Sequence, residues 1–407
     1  MKILLKLAWR NLWRNRKRSL ITISSVFFAV LLSIVMTSMQ EGSYERMIES
    51  LVRYSTGYIQ IQDVLYEEEP SIDNSLVFDE QIHHSLNQLS EDIEFYVPRI
   101  QNFALAATKN QTRGTLVLGI EPDKENRLNN LLDNMIAGEF ITSSDNQIVI
   151  ASGLSNIMGL RVGDTLILLG QGLHGATAAG RYRIKGIVNL RLPEINNNTI
   201  YMPLTEAQWF FMAEDRLTSL IIMPHDPDHT NRIASELQAS LDNEWFSVLT
   251  WKHLLADFLS LMEFDRAGGR VMSIILYIVI TFGLLGTIIT MMIERQKEFG
   301  MLISLGMNRM RLALVCFLET LFISGAGVVA GVAASVPVVG FFYFNPIPLH
   351  GDMAQTMLDY GFEPIMPFST DPGIFLTQAA IIVVLSVLVG LYPIYRVYRL
   401  NIIQVRQ

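Results

Sequence analysis

Cysteine is nearly absent from this 407-residue chain: the one copy, Cys316, falls inside an apolar run. That excludes an intrachain disulfide, a thiolate metal site and a redox pair. The phosphate-binding pattern GxxxxGK followed by Ser or Thr is missing as well, so the chain is expected to bind no cofactor and to hydrolyse no ATP by itself. Gly172–Gly180 is glycine-rich but lacks the lysine, and it reads as a flexible hairpin turn. His83, His84, His174, His225, His229 and His253 form no ligand spacing, because His225 and His229 stand four apart only across Pro227. A metal centre is not expected. Ser152 and Ser155 show no nucleophile-elbow pattern, and no Ser, His and Asp set stands out. These absences argue against an enzyme.

Acids are missing from the first nineteen positions, where Lys2, Lys6, Arg10, Arg14, Arg16, Lys17 and Arg18 precede the uncharged stretch Leu20 to Met39. About twenty apolar residues cross a hydrocarbon core of about 30 Å as a helix, and cations before them stay in the cytoplasm. A cleaved signal peptide also begins with cations, but its apolar core is about 7 to 15 residues long. Thr37-Ser38-Met39 is, moreover, a poor small-x-small cleavage site, so a retained first span is the expectation. Trp9 and Trp13, four apart with Leu5 and Leu12 nearby, fit a helix lying at the interface with arginines toward lipid headgroups. A well-anchored first span would look much the same.

Half of the residues are hydrophobic, and the mean hydropathy of +0.31 is high for a soluble protein of this length. The net charge of -8 conceals a segregation. Residues 41–270 carry 17 Lys and Arg against 32 Asp and Glu, whereas the remainder carries 14 against 7. The acidic part reads as a soluble domain and the basic part as membrane spans with cytoplasmic edges. Nucleic-acid binding has no support, because the cations hug the membrane ends and form no stripe on the soluble domain.

The predicted order is an interfacial helix over 1–19, spans at 20–40, 271–293, 312–342 and 374–394, and an outer domain over 41–270. An inner loop (294–311), an outer loop (343–373) and a tail (395–407) complete it. Gly325, Gly327, Gly331 and Pro337 lead us to expect a tilt or kink in the third span. Four crossings from a cytoplasmic N-terminus leave the C-terminus cytoplasmic and 41–270 outside. Charge tests this independently: the inner loop carries Arg295, Lys297, Arg309 and Arg311, the tail Arg396, Arg399 and Arg406, and residues 345–372 no Lys or Arg.

Within the outer domain, strands are predicted at Tyr58–Gln62, Thr115–Leu118, Gln147–Ala151, Thr165–Leu169, Tyr182–Val188, Thr199–Met202 and Ser219–Met223. Helical spacing appears at Ile82–Leu89, Gly153–Met158, Leu204–Met212 and Thr230–Leu241. An α+β body with at least two sheets fits.

The inner loop, residues 293–312, has the chemistry of a short helix on the membrane face. Phe299, Leu302, Ile303 and Leu305 form its apolar side, Arg295 and Glu298 its charged side; Gly306 stops it and Asn308 caps the next helix. Such a helix, joined rigidly to two spans, can pass a push into the membrane.

Arg295, Glu298, Gly300, Leu302, Leu305, Gly306 and Glu319 resemble the R..E.G.L..LG…E pattern of FtsX-like permeases, the ABC transporter subunits that include lipoprotein-releasing LolC and LolE and the MacB exporter. The opening residues 8–19 (AWRNLWRNRKRS) are similar to that family's first helix. Gly138-Glu139-Phe140, with Gly163 and Asp164 at a later turn, resembles its periplasmic core module. The resemblance covers the whole chain and is strongest to the lipoprotein-releasing branch. It implies an α-helical integral membrane protein with four transmembrane helices plus a large α+β periplasmic domain, in a bacterial inner membrane.

The resemblance also implies partners: two copies of a cytoplasmic ABC ATPase holding ATP and Mg, a second permease that is either a copy or a paralogue, a lipoprotein substrate and a periplasmic lipoprotein carrier. Arg295, Glu298, Phe299, Gly300, Leu302, Leu305 and Gly306 are the expected ATPase-coupling residues. Met36, Met39, Met47 and Met272 are candidates for an acyl-chain cradle against membrane lipid, since thioethers adapt to variable chains, although methionine in a span also serves plain packing. The loop about Pro193 resembles the carrier-facing region, though it is short for a docking hook. Two alternatives stand beside lipoprotein release. One is MacB-like export of drugs or peptides, although MacB-type chains carry their ATPase at the N-terminus. The other is FtsX-like signalling to a cell-wall hydrolase, whose outer domain is usually much smaller. Glu319, early in the third span, is costly to bury and is expected to face a partner helix or the interface.

Overall fold

The computed structural model describes residues 2–14, 16–109, 111–190, 192–359 and 362–399. They divide into two compact units. One comprises residues 1–46, 260–348 and 365–407, the other residues 47–259 and 349–364.

The first unit is helical. It is built from α1 (Lys2–Arg14), α2 (Arg16–Leu51), α3 (Ala256–Glu294), α4 (Gln296–Ser304), α5 (Arg309–Phe344) and α6 (Pro372–Tyr398). Among the described residues, four helices are long and apolar enough to cross a membrane: α2, α3, α5 and α6. At about 1.5 Å per residue, the 36 residues of α2 and the 39 of α3 exceed what a hydrocarbon core needs. Both helices run unbroken beyond their apolar windows, and the longer segment of the α+β unit covers residues 47–259.

Close packing explains the glycines of α5. A Cβ on Gly327 would lie 2.6 Å from Val26 Cβ and one on Gly331 2.8 Å from Val30 Cβ, so both permit near contact with α2. Gly325, by contrast, faces open space. Pro337 sits inside a helix that continues to Phe344. A polar knot ties three of the spans: Ser33 Oγ donates to Gln378 Oε1 at 2.5 Å, the Tyr277 hydroxyl donates to the same oxygen, and Gln378 Nε2 donates to Thr37 Oγ1 at 3.1 Å.

The second unit is α+β. Its large sheet uses β1 (Ile59–Asp63), β2 (Ile93–Ala107), β3 (Thr112–Ile120), β4 (Met135–Gly138), β5 (Ile148–Ala151), β6 (Thr165–Gln171), β7 (Thr177–Val188), β8 (Thr199–Pro203), β9 (Ser219–Pro224) and β10 (Phe246–Thr250). The path β10-β1-β9-β2-β3-β8-β5-β7-β4 is extended by β6, which pairs with both β2 and β7. Strands β2, β3, β8, β5, β7 and β6 therefore close into a ring, a small barrel without free edges. Ile100, Val117, Ile150, Leu166, Leu168 and Ile184 belong to one buried cluster that fills it. A second cluster lies between β1, β9 and the helices Glu80–Gln88 and Thr230–Ser240. The body thus has two lobes on one branched sheet, plus a two-residue ribbon pairing Leu76–Val77 with Arg216–Leu217.

Strand β2, fifteen residues long, was not expected from the sequence. Pro98 argues against a central strand, but it lies where β2 pairs with β9 alone, one residue before the pairing with β3 begins at Arg99. One side of the strand is unpaired at that point, so a missing N–H costs little.

Candidate functional site

Helix α4 is set by its two ends. At its C-terminus Gly306 adopts φ +95°, Gly306 N–H donates to Ile303 O at 3.0 Å, and Met307 N–H donates to Leu302 O at 3.0 Å. This Schellman closure needs a residue free of a Cβ. Two residues on, the Asn308 side chain accepts from Met310 N–H at 2.9 Å and caps α5. The short turn leaves α4 little freedom relative to α5.

At the other end stands Arg295, between α3 and α4. Its Nη1 donates to both carboxylate oxygens of Glu319 at 2.8 and 2.7 Å. Glu319 is only 3% exposed, so the ion pair is what makes its place inside α5 tolerable. Arg295 Nε also donates to Glu298 Oε2 at 3.3 Å, and its guanidinium lies 5.3 Å from the Phe299 ring centroid.

The chain of charges extends to α1. Arg14 Nη2 donates to Glu298 Oε2, and α1 is held in turn by Ala8 and Leu12, both buried, and by Trp9 edge-on to Phe322 of α5. Ser19 Oγ donates to Leu12 O at 2.9 Å, fixing the step into α2. Burial alone would raise the Glu298 carboxyl, but the Arg14 and Arg295 guanidiniums outweigh it and hold it below the usual range. Arg14, Arg295, Glu298 and Glu319 line one cavity of about 240 Å³, together with Asn11 and Thr22. These charges link α4 to α5 through the buried Arg295–Glu319 pair, which is costly to separate, and to α1 through the exposed Arg14–Glu298 pair, which is weaker and screened by solvent.

The residues singled out from the sequence divide by exposure. Phe299 and Gly300 are buried and anchor α4, whereas Leu302 and Leu305 point outward, Leu305 at 79% exposure. Met301, which the sequence reading passed over, is exposed beside them at 65%. Its signal was the i, i+4 spacing with Leu305. Arg14 was also missed as a partner of Glu298, since 284 positions separate them.

Met36 on α2 and Met272 on α3 are exposed, while Met39 packs against the helical core. Met47 lies on α2 in the α+β unit. Pro193 opens the short helix Pro193–Asn196, its side chain lying outside the described residues, as do the side chains of Lys2 and Arg18 and the tail beyond Arg399, Arg406 included. That helix is tied back by Asn196, whose Nδ2 donates to Ser152 Oγ at 3.1 Å and whose Oδ1 accepts from Leu190 N–H at 3.1 Å. Of Gly172–Gly180 only residues 172–176 form the turn between β6 and β7, with Gly172 N–H donating to Ala176 O at 2.7 Å, while Thr177 to Gly180 already belong to β7 and pair with β6.

Known proteins bear on this architecture directly. The family model of the MacB-like periplasmic core domain matches residues 19–240, more than half of the chain, and that of the FtsX-like permease C-terminal region matches residues 270–402. The lipoprotein-releasing system transmembrane protein LolC of Neisseria meningitidis serogroup B is 25% identical over 318 residues, spanning 73% of this chain and 74% of that protein. The crystal structure of the periplasmic region of MacB from Actinobacillus actinomycetemcomitans is 13% identical, with a TM-score of 0.36, covering 51% of this chain and 95% of that one. The extracellular domain of the ABC-type transporter YknZ from Gram-positive bacteria is 13% identical, also with a TM-score of 0.36, covering 48% of this chain and all of that one. The chain belongs to the MacB/FtsX/LolC family of ABC transporter permeases, with an FtsX-like C-terminal region and a MacB-like periplasmic core.

Proposed function

We propose that this permease extracts lipoproteins from the inner membrane for transfer to a periplasmic carrier, driven by two copies of a separate cytoplasmic ATPase that holds ATP and Mg. The observation that carries the coupling half of this reading is α4. It exposes Met301, Leu302 and Leu305 while Arg295 binds it to Glu319 of α5. An apolar patch on a short helix fixed to a span is what a motor subunit needs to grip and push. On this reading α4 and both termini face the cytoplasm, in keeping with Lys297, Arg309 and Arg311 beside it, and the α+β unit lies in the periplasm. A second permease, a copy or a paralogue, completes the pair.

The lipoprotein half rests on the likeness to LolC along most of both chains. Exposed Met36 and Met272 supply adaptable apolar surface on α2 and α3 for acyl chains, and the segment opening at Pro193 is the candidate carrier-facing element. Export of drugs or peptides is the second reading, supported by the match to a MacB-like core.

Gentle solubilisation is expected to bring down an ATPase with the wild-type chain, and Met301→Asp/Leu305→Asp to lose it while the chain stays membrane-inserted. Undiminished recovery of the ATPase with that variant would reject α4 as the grip. Depletion in the native cell is expected to leave lipoproteins at the inner membrane; normal lipoprotein sorting with altered drug tolerance would instead select export.

A further inference from the structure

We propose that the groove between α1 and the start of α2 is a binding site for an anionic glycerophospholipid of the surrounding bilayer. Helix α1 has three faces. Ala8 and Leu12 are buried; Leu5, Trp9 and Trp13 form an exposed apolar stripe at i, i+4, i+8; and Lys6, Arg10 and Arg14 form an exposed cationic one beside it. A helix packed on one side would normally turn its remaining apolar residues away from water. Here the tryptophans instead wall an open groove of about 460 Å³, a volume in the range of small-molecule sites. Leu20, Ile23, Phe322 and Ala326 supply its other walls, which are almost wholly apolar.

Charge selects the occupant. Arg16 and Lys17 stand at the groove, both exposed, with the Arg16 guanidinium 5.9 Å from the Trp13 ring centroid. None of the groove's described lining residues is acidic, and Glu298, the carboxylate that α1 does reach, is held by Arg14. An acyl chain satisfies the apolar walls, and an anionic headgroup satisfies the cations at their rim. A zwitterionic lipid would leave that charge uncompensated, and a water-borne anion would leave the walls bare. Tryptophan at headgroup depth is where its amphipathic ring is most stable. The inference requires the spans to lie in a bilayer, but not any ATPase or cargo, so it stands or falls separately from the reading above.

The full chain, reconstituted in phosphatidylcholine nanodiscs doped with spin-labelled phosphatidylglycerol or spin-labelled phosphatidylcholine, provides the test. A motionally restricted phosphatidylglycerol component in excess of the phosphatidylcholine one is expected. Arg16→Gln/Lys17→Gln is expected to lower that relative affinity about tenfold, and Lys6→Gln/Arg10→Gln, which removes the same charge away from the groove, to leave it unchanged. No preference in the wild type, or equal loss in both double variants, would replace the site with a diffuse surface field. Displacement of the probe by inorganic phosphate or by an acidic peptide would equally overturn the lipid assignment.

Discussion

Glu298 and Glu319, 21 positions apart in the sequence, end on the same arginine, and their unequal burial gives them unequal weight. Glu319 is nearly sealed from solvent and has both oxygens covered by Arg295. Removing one partner of a buried pair leaves an uncompensated charge that costs about 3–5 kcal/mol. Arg295→Ala is therefore expected to lower thermal stability in detergent sharply, and Arg295→Ala/Glu319→Ala to recover part of the loss. Thermal unfolding across the full cycle checks this, with strictly additive losses showing that the two residues do not act as a pair.

Glu298 is about half exposed, so its contribution is smaller and screened by solvent. Its folded carboxyl is depressed, so the stability it adds is complete above the ordinary glutamate value of 4.5 and is lost as pH falls through the folded value. Wild type is expected to lose this increment progressively below about pH 4.5, and Glu298→Gln to show a flatter acid limb. Unfolding midpoints measured on both proteins across that window would settle it, and identical limbs would remove the assignment.

Among the elements, α5 shows how close approach is written in small residues. Gly327 and Gly331 meet Val26 and Val30 of α2 at distances no side chain could share, while Gly325 on the same helix meets nothing. Gly327→Val is expected to part α5 from α2 and lower the melting temperature by several degrees, with Gly325→Ala near neutral. A neutral Gly327→Val would mean that the two helices are not tightly packed. The sequence pointed to these glycines but assigned them to a kink, because spacing alone does not say which glycine faces a neighbour. Turn chemistry was more legible: Gly306 and Asn308 were read correctly as stop and cap, since a positive φ and an orphan N–H are local requirements. The same holds for the strands from Ile59–Asp63 to Ser219–Pro224 that alternation disclosed. Strand β2 stayed hidden because its proline is acceptable only in light of which neighbours it lacks.

For the whole molecule, two compact units joined through continuous helices suggest that the α+β body carries its own stability. Its barrel closes on itself, and its lobes hold separate buried clusters. A buried bridge from Arg99 of β2 to Glu125, with Nε donating to Oε2 at 2.9 Å, fastens a helix to that sheet. A fragment of residues 47–259 is expected to be soluble and strand-rich and to unfold cooperatively by circular dichroism. A fragment that stayed unfolded would show that the barrel depends on the helical unit.

Sequence by itself determined that this chain has four spans of membrane-crossing length, that an acidic mixed domain interrupts them, and where α4 ends. Hydropathy, charge balance and capping are sums over neighbours in the chain, so no fold is needed to evaluate them. Only the tertiary structure decided that Arg14 meets Glu298, that Arg295 meets Glu319, and that β6 joins β2 to β7 to close the ring. Each of those pairings joins residues far apart in the chain, and its energy exists only once packing has excluded water and brought the partners together.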